Sequence, residues 1–371
     1  MKILIVQDFL RSGGTERQSL LLARGFAAAG HAVELLTFRP GGALAMADDG
    51  QSPRAGGRFR HRALQGFDTG LDWFAPGLAR SARAFGPDVV VCMGRMANCL
   101  AGGLQRKIPG TAVVGTLRTG KPLPFLFRRS LARVRHIVAN SAEARDRLVA
   151  LNGIARARIS VIRNSLVFPA PAPADARDAL RSRLGAGPGT GVMLCVAMFR
   201  PEKNQRKLLE IAAGLPAGLD WQLWLAGDGP CRPACERLAE QLGVGERVRF
   251  PGFQRDPAAF YAAADIAVHA SSSESLSNFL IEAQANGLPA VALQAQGIGE
   301  CFLPGETGWA VGRGDTPGFR AILARLMAEG PAERATRAAA ARAFARESFD
   351  PERQVSAYLD LFKNLFADQR Y

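Results

Sequence analysis

The sequence predicts an α/β protein made of two Rossmann-like, doubly wound halves facing a central cleft. Three observations carry this. Short apolar runs alternate with helical stretches, a proline-rich break follows Phe168, and the same alternation restarts beyond it. A chain of 371 residues is also too long for one ordinary core. The domains are placed at residues 1–165 and 166–348, with a closing helix from 349–371 folding back onto the first.

The first half opens with a strand over Lys2–Val6, the glycine-containing loop Arg11-Ser12-Gly13-Gly14-Thr15-Glu16, and a helix through Leu20 and Phe26 that stops at Gly30. A strand over Val33–Phe38 completes a βαβ unit. The Gly13-Gly14 pair lets a ligand approach the backbone, and by itself suits a tight turn equally well. It lacks the spaced three-glycine fingerprint of dinucleotide binding. Residues 40–62 read as a Gly- and Arg-rich loop. Strands follow at Pro87–Cys92 and Thr111–Leu117, and Ile137–Ser141 and Ile159–Asn164 close the first domain. The segment Arg118 to Arg135 sets Phe125, Leu126 and Phe127 among arginines, a pattern suited to a lipid headgroup layer or to a basic helix packing inward.

Phe168-Pro169-Ala170-Pro171-Ala172-Pro173 reads as the linker. Beyond it come a strand over Val192–Val196, a helix over Asn204–Ala213, a strand over Trp221–Ala226 and a helix over Arg232–Leu242. Strands at Val248–Phe250 and Ile266–Val268 flank a short helix from Phe260, and Ala290–Leu293 is the last clear strand. Pro351–Phe366 is an amphipathic closing helix.

Composition narrows the function. Hydrophobic residues make up 48% and charged residues 22%, as in a folded globular protein, and no apolar run is long enough to span a bilayer. The opening strand is interrupted by Gln7-Asp8 and does not read as a signal peptide. Six scattered cysteines lack metal-ligand spacing and read as reduced packing thiols, consistent with a cytoplasmic location. The net charge of +14 is lopsided: residues 1–165 hold 25 Lys and Arg against 10 acids, and the remainder 22 against 23. An anionic partner for the first half follows, with a membrane surface or a phosphorylated acceptor favoured. Nucleic acid is disfavoured, because the basic residues are not interleaved with stacking aromatics.

The stretch that organises the chemistry runs from Ser271 to Pro289. A serine-rich loop leads into a helix over Asn278–Asn286, with Ser277 as N-cap and Gly287 as stop. Such a strand, loop and helix start suits a phosphate. Glu274 and Glu282 would repel a diphosphate on contact but can accept hydrogen bonds from sugar hydroxyls on either side of it. Their spacing alone also suits a solvated helix face.

Glu274-x7-Glu282 is accompanied by Arg200-Pro201-Glu202-Lys203, Gly227-Asp228-Gly229-Pro230, Phe250-Pro251-Gly252-Phe253 and Gly305-Glu306-Thr307-Gly308. Together, over nearly the whole chain, these resemble the retaining nucleotide-sugar glycosyltransferases of family 4, with the two-domain GT-B fold. The resemblance implies a UDP- or GDP-sugar donor held mainly by the second domain. It also implies an acceptor held by the first, a lipid-linked or cell-envelope glycan. Glu282 would bind the ribose diol and Glu274 the hydroxyls of the transferred sugar. Lys203 with Arg200 would neutralise the diphosphate, approached also by the backbone of Leu276, Ser277 and Asn278 and by the Gly13-Gly14 amides. Phe253 and Gln254 would meet the base. No Asp-x-Asp element follows a strand, so neither a metal nor another cofactor is expected.

The chain departs from the family pattern in two places. Met198 stands where many members carry arginine, and Cys92-Met93-Gly94-Arg95 replaces a loop that often holds histidine. Arg95, Asn98 and Arg118 are candidates for the acceptor side. His31 reads as structural, and His269 as a core or supporting residue. These departures leave open a catalytically inactive GT-B partner protein in an envelope glycan pathway. The leading expectation is a cytoplasmic enzyme, peripheral on the inner face of the membrane.

Overall fold

Thirteen strands form two parallel sheets in the computed structural model, which describes residues 1–11, 13–45, 58–168, 173 and 175–367. The chain divides into two compact units, Met1–Ser165 with Asp350–Tyr371, and Leu166–Phe349. Most of the proline-rich linker lies outside the described residues, as do Ser12 and residues 46–57 of the expected loop.

The first unit runs β1 (Lys2–Gln7), α1 (Gly14–Ala28), β2 (Ala32–Thr37), β3 (Arg58–Ala63), α2 (Leu78–Phe85), β4 (Val89–Cys92) and α3 (Arg95–Lys107). It continues through β5 (Ala112–Leu117), α4 (Phe125–Leu131), β6 (His136–Ala139), α5 (Ala142–Asn152) and β7 (Ile159–Val161). Its sheet order is β3-β2-β1-β4-β5-β6-β7. Alternate residues feed opposite faces: Leu4, Val6 and Val90 enter one core, Ile3, Ile5 and Val91 the other. Burial on both faces explains why these strands read as continuous apolar runs.

β3 corrects the sequence reading, which left Arg58–Arg62 in a loop. Arg-Phe-Arg-His-Arg lacks an apolar run, yet it pairs in register with β2, Glu34 lying opposite Arg60. Glu34 is fully buried and accepts hydrogen bonds from both Arg60 and Arg62, with Arg62 Nη2 at 3.0 Å. The ion pairs hold the polar edge strand to the sheet.

The second unit runs α6 (Ala176–Arg183), β8 (Gly191–Val196), α7 (Gln205–Ala213), β9 (Trp221–Ala226), α8 (Arg232–Gln241), β10 (Val248–Gly252) and α9 (Ala258–Ala263). There follow β11 (Ile266–His269), α10 (Asn278–Ala285), β12 (Ala290–Leu293), β13 (Gly308–Val311), α11 (Thr316–Ala328) and α12 (Pro331–Ser348). The order is β10-β9-β8-β11-β12-β13, so one more strand follows the clear run Ala290–Leu293. β13 is four residues long and gains its place by pairing with β12 in register.

α13 (Pro351–Ala367) belongs to the first unit, where Tyr358 and Phe362 pack their rings on Phe26 of α1. A buried polar clasp fixes it. Ser165 Oγ donates to Gln354 Oε1 at 2.8 Å, while Gln18 Nε2 donates to the Ser165 carbonyl at 2.7 Å. Among the described residues no helix is long and apolar enough to cross a membrane.

Candidate active site

In a parallel sheet all strands point the same way, so the loops after them share one edge, and ligands favour the point where strand order reverses. In the second sheet that point lies between β8 and β11. The loop after β8 carries Met198 to Lys203, and the loop after β11 carries the serine run and Glu274. The carbonyl of Glu202 joins them, accepting from Ser272 N–H at 2.7 Å and Ser271 Oγ at 2.9 Å. Asn204, next to Lys203, has φ 52°, the single positive φ outside glycine among the described residues. That left-handed turn ends the 3-10 turn bearing Lys203 and starts α7.

Glu274 is the centre of this edge. Lys203 Nζ lies 2.5 Å from its Oε1, and His269 Nε2 lies 3.1 Å from the same oxygen. Burial alone would raise the Glu274 carboxyl. The His269 hydrogen bond and the Lys203 charge outweigh it and hold the group down at about 2. The bond to a carboxylate requires a proton on His269 Nε2, and His269 Nδ1 is buried without a partner. The His269 ring packs against Phe279, their centroids 5.8 Å apart.

α10 begins at Asn278 with Ser277 at its N-cap position, but the Ser277 side chain makes no capping hydrogen bond. Leu276 and Ser277 are buried, so only their backbone could approach a ligand. The turn sits tightly against the next loop: Gly297 has φ 72°, and a Cβ there would collide with the Ser275 carbonyl. One helical turn further, Glu282 Oε2 accepts the Tyr261 hydroxyl at 2.6 Å. Tyr261 is itself fixed by stacking on Phe279. Phe253 is exposed in the loop after β10, where Gln254 folds its amide onto the Pro251 carbonyl at 2.9 Å. Arg200 is exposed to solvent beside Met198.

The structure thus gathers Lys203, Glu274, Glu282 and the start of α10 on one edge. Sequence reasoning placed His269 only as a core or supporting residue and passed over Tyr261. Their five- and twenty-one-residue separations from the two glutamates become proximity through the strand end and the α9–α10 packing.

In the first sheet the order reverses between β1 and β4. Gly13 and Gly14 open α1 after β1, and Gly94 and Arg95 open α3 after β4. Asp8 spans the reversal, accepting from Met96 N–H at 2.9 Å and Ala97 N–H at 2.6 Å. Burial is the larger influence, and with Asp72 and Glu16 nearby it pushes the carboxyl up to about 6 despite those bonds. Of the acceptor candidates, Arg95 is exposed. Asn98 is buried, its amide spent on the Gly94 carbonyl and the Thr116 N–H. Arg118 is engaged within the unit by Asn164 and by the Tyr358 hydroxyl at 3.1 Å. α4 divides its apolar residues: Phe127 and Leu131 are buried, whereas Phe125 (62%) and Leu126 (61%) face solvent beside exposed Arg128 and Arg129.

Two doubly wound parallel sheets, one carrying a lysine and a carboxylate at its reversal, define a GT-B-type α/β protein. Anabaena HepE in complex with UDP-glucose has this fold over 97% of the chain and 99% of its own length, with a TM-score of 0.78 at 22% identity. Residues 12–166 match the family model described as Glycosyltransferase Family 4, and residues 176–343 that described as Glycosyl transferases group 1. The chain belongs to the family 4 glycosyltransferases. The lipopolysaccharide core biosynthesis glycosyltransferase LpsE of Rhizobium meliloti (strain 1021) is 36% identical over 40% of this chain and 43% of its own length. The D-inositol 3-phosphate glycosyltransferase of Rhodococcus opacus (strain B4) is 34% identical over 65% of this chain and 56% of its own. The chain spans about half the length of these curated relatives.

Proposed function

We propose that the protein transfers a sugar, with retention of anomeric configuration, from a UDP- or GDP-sugar to a lipid-linked or cell-envelope glycan. The observation that carries this reading is the meeting of Lys203, His269 and Glu274 at the β8–β11 reversal. In the proposed reaction the bond between the anomeric carbon and the diphosphate oxygen breaks, and the nucleoside diphosphate leaves as an anion. Lys203 turns from Glu274 to that anion, with Arg200 and the α10 backbone of Leu276, Ser277 and Asn278 alongside. Glu274 holds the sugar hydroxyls and Glu282 the ribose diol. Phe253 and Gln254 border the base. The acceptor oxygen attacks the same face of the sugar, and its proton passes to the departing phosphate. Protein cations carry the charge, so divalent metal is dispensable, and activity should persist in EDTA. The exposed Phe125-Leu126 face with its arginines fits the inner surface of an anionic membrane.

A thermal-shift panel of UDP, GDP, ADP and their sugars tests the reading, since a ligand at ~100 times its Kd stabilises by about 2.7 kcal/mol. One base should shift the melting temperature, with the shift reduced in Lys203→Ala. Absence of any shift, or full transfer activity in both Lys203→Ala and Glu274→Ala, would overturn it.

A further inference from the structure

The loop between β3 and α2 exposes an unusual run of apolar side chains. Phe67 is 75% and Trp73 59% exposed, with Leu71 and Phe74 exposed beside them. Exposure of this kind on a loose loop would carry no information, but this loop is strapped. Gln65, buried, donates to the carbonyls of Leu71 (3.2 Å) and Phe74 (2.6 Å) and accepts the Thr69 hydroxyl (2.7 Å). Arg39 grips Asp68 with two parallel bonds of 2.7 and 2.8 Å and Asp72 with a third of 2.7 Å. The same guanidinium lies 4.1 Å above the Phe9 ring, and Arg11 also pairs with Asp72. Trp73 and Phe74 meet edge to face, their centroids 6.2 Å apart. Gln65 at the start of the loop, with Arg39 and Arg11 beyond the ends of β2 and β1, thus holds the segment that displays the aromatics.

We infer that this loop is the platform on which sugar rings of the acceptor glycan stack, an inference that rests on the proposed glycosyl transfer. Three observations favour sugar as the occupant. The loop leaves the carboxyl ends of the first sheet's strands, the edge that also carries Gly13-Gly14 and Asp8. Its charge is balanced: residues 64–77 contain two acids and no base, and both acids are already paired with Arg39 and Arg11. It therefore offers no excess cation to an anionic headgroup, unlike residues 118–135, which contain six Lys and Arg and no acid. The strapping also holds the backbone that displays the rings, and Trp73 and Phe74 pack edge to face, an order that a lipid wedge would not need. An exposed planar ring matches the C–H face of a sugar, and the remaining lone pairs of Asp68 and Asp72 can accept its hydroxyls.

The test uses delipidated lipopolysaccharide core oligosaccharide and, separately, phosphatidylglycerol-containing vesicles. Trp221 and Trp224 are buried and Trp309 is half-buried under arginines, so Trp73 should dominate ligand-dependent emission. Oligosaccharide should quench and blue-shift wild-type emission, with no such change in Trp73→Ala. With the donor selected by the thermal-shift panel, Trp73→Ala/Phe74→Ala should raise the KM for oligosaccharide about tenfold, and Trp73→Tyr should recover most of it. Vesicle retention and the nucleotide-induced thermal shift should match wild type. Loss of vesicle retention with an unchanged oligosaccharide KM would reassign the loop to lipid, and wild-type emission unmoved by oligosaccharide would overturn the inference. If no nucleotide shifts wild-type melting, glycosyl transfer itself fails, and the emission result still decides whether the loop binds sugar.

Discussion

His269 Nε2 donates to Glu274 Oε1 at 3.1 Å from a position closed to solvent, on the very oxygen that Lys203 approaches. When Lys203 turns to a diphosphate, His269 is the donor left to hold Glu274 ionised and in place. The Glu274 carboxyl lies low, so its stabilising contribution is complete above the usual carboxylate range and is lost as pH falls toward about 2. His269→Leu removes the hydrogen bond and leaves the burial, which raises the Glu274 carboxyl. The acid limb of kcat/KM should then move upward in His269→Leu and stay near wild type in His269→Gln, whose amide N–H can donate. A limb unmoved in the leucine variant would reduce His269 to a packing residue.

Lys203→Ala leaves Glu274 buried with one partner and the diphosphate with less positive charge. Removing one member of a buried charge pair costs about 2–5 kcal/mol of binding, so donor KM should rise at least roughly thirtyfold. Nucleoside lacking the diphosphate should bind wild type and variant alike, as isothermal titration would reveal. Glu274→Gln should act differently, lowering kcat more than it weakens nucleotide diphosphate binding.

Legibility in the sequence followed the range of the interactions. β1, β4 and β9 are apolar runs that declare themselves locally, and the glycines and prolines between them mark turns, so the doubly wound class could be read directly. β3 could not, because its arginines become strand residues only through Glu34, more than twenty positions earlier. α12 was equally silent: it buries Ala341 and Ala345 and otherwise presents a mixed polar surface with little helical stripe. At the site, Lys203 and Glu274 stood out through their motifs. His269 did not acquire a role until the end of β11 brought it to Glu274. The strapped 64–77 loop was invisible for the same reason, since Arg39 holds it from the far end of β2.

The Glu34 cluster predicts an asymmetric mutational response. Arg60 and Arg62 are 64% and 38% exposed, whereas Glu34 has no exposure. Glu34→Ala frees two arginines that can return to water, so its cost should be about 1–3 kcal/mol, chiefly from the cavity and the loosened β3 edge. Arg60→Ala/Arg62→Ala instead strands a carboxylate inside the sheet and should cost more, about 3–5 kcal/mol. Urea denaturation of the two variants distinguishes the cases. Equal costs would mean that Glu34 gains water when its partners leave.

Asp8 predicts a pH dependence of the opposite sign to that of Glu274. Its folded-state carboxyl sits at about 6, above the ordinary 3.8, because burial outweighs the Met96 and Ala97 N–H bonds. Protonation therefore favours the folded state. The stabilisation is fully present below about 4 and is lost as pH rises through about 6, a change on the order of 2–3 kcal/mol. Asp8→Asn keeps one carbonyl oxygen for the Ala97 N–H, gives up the bond to Met96 and cannot ionise. The variant should be less stable than wild type at pH 4.5 and gain on it steadily toward pH 7.5, where the buried charge burdens only the wild type. Melting temperatures of both proteins across that range decide the matter. A constant difference between them would show that Asp8 reaches water when charged and that the α3 N-terminus does not confine it.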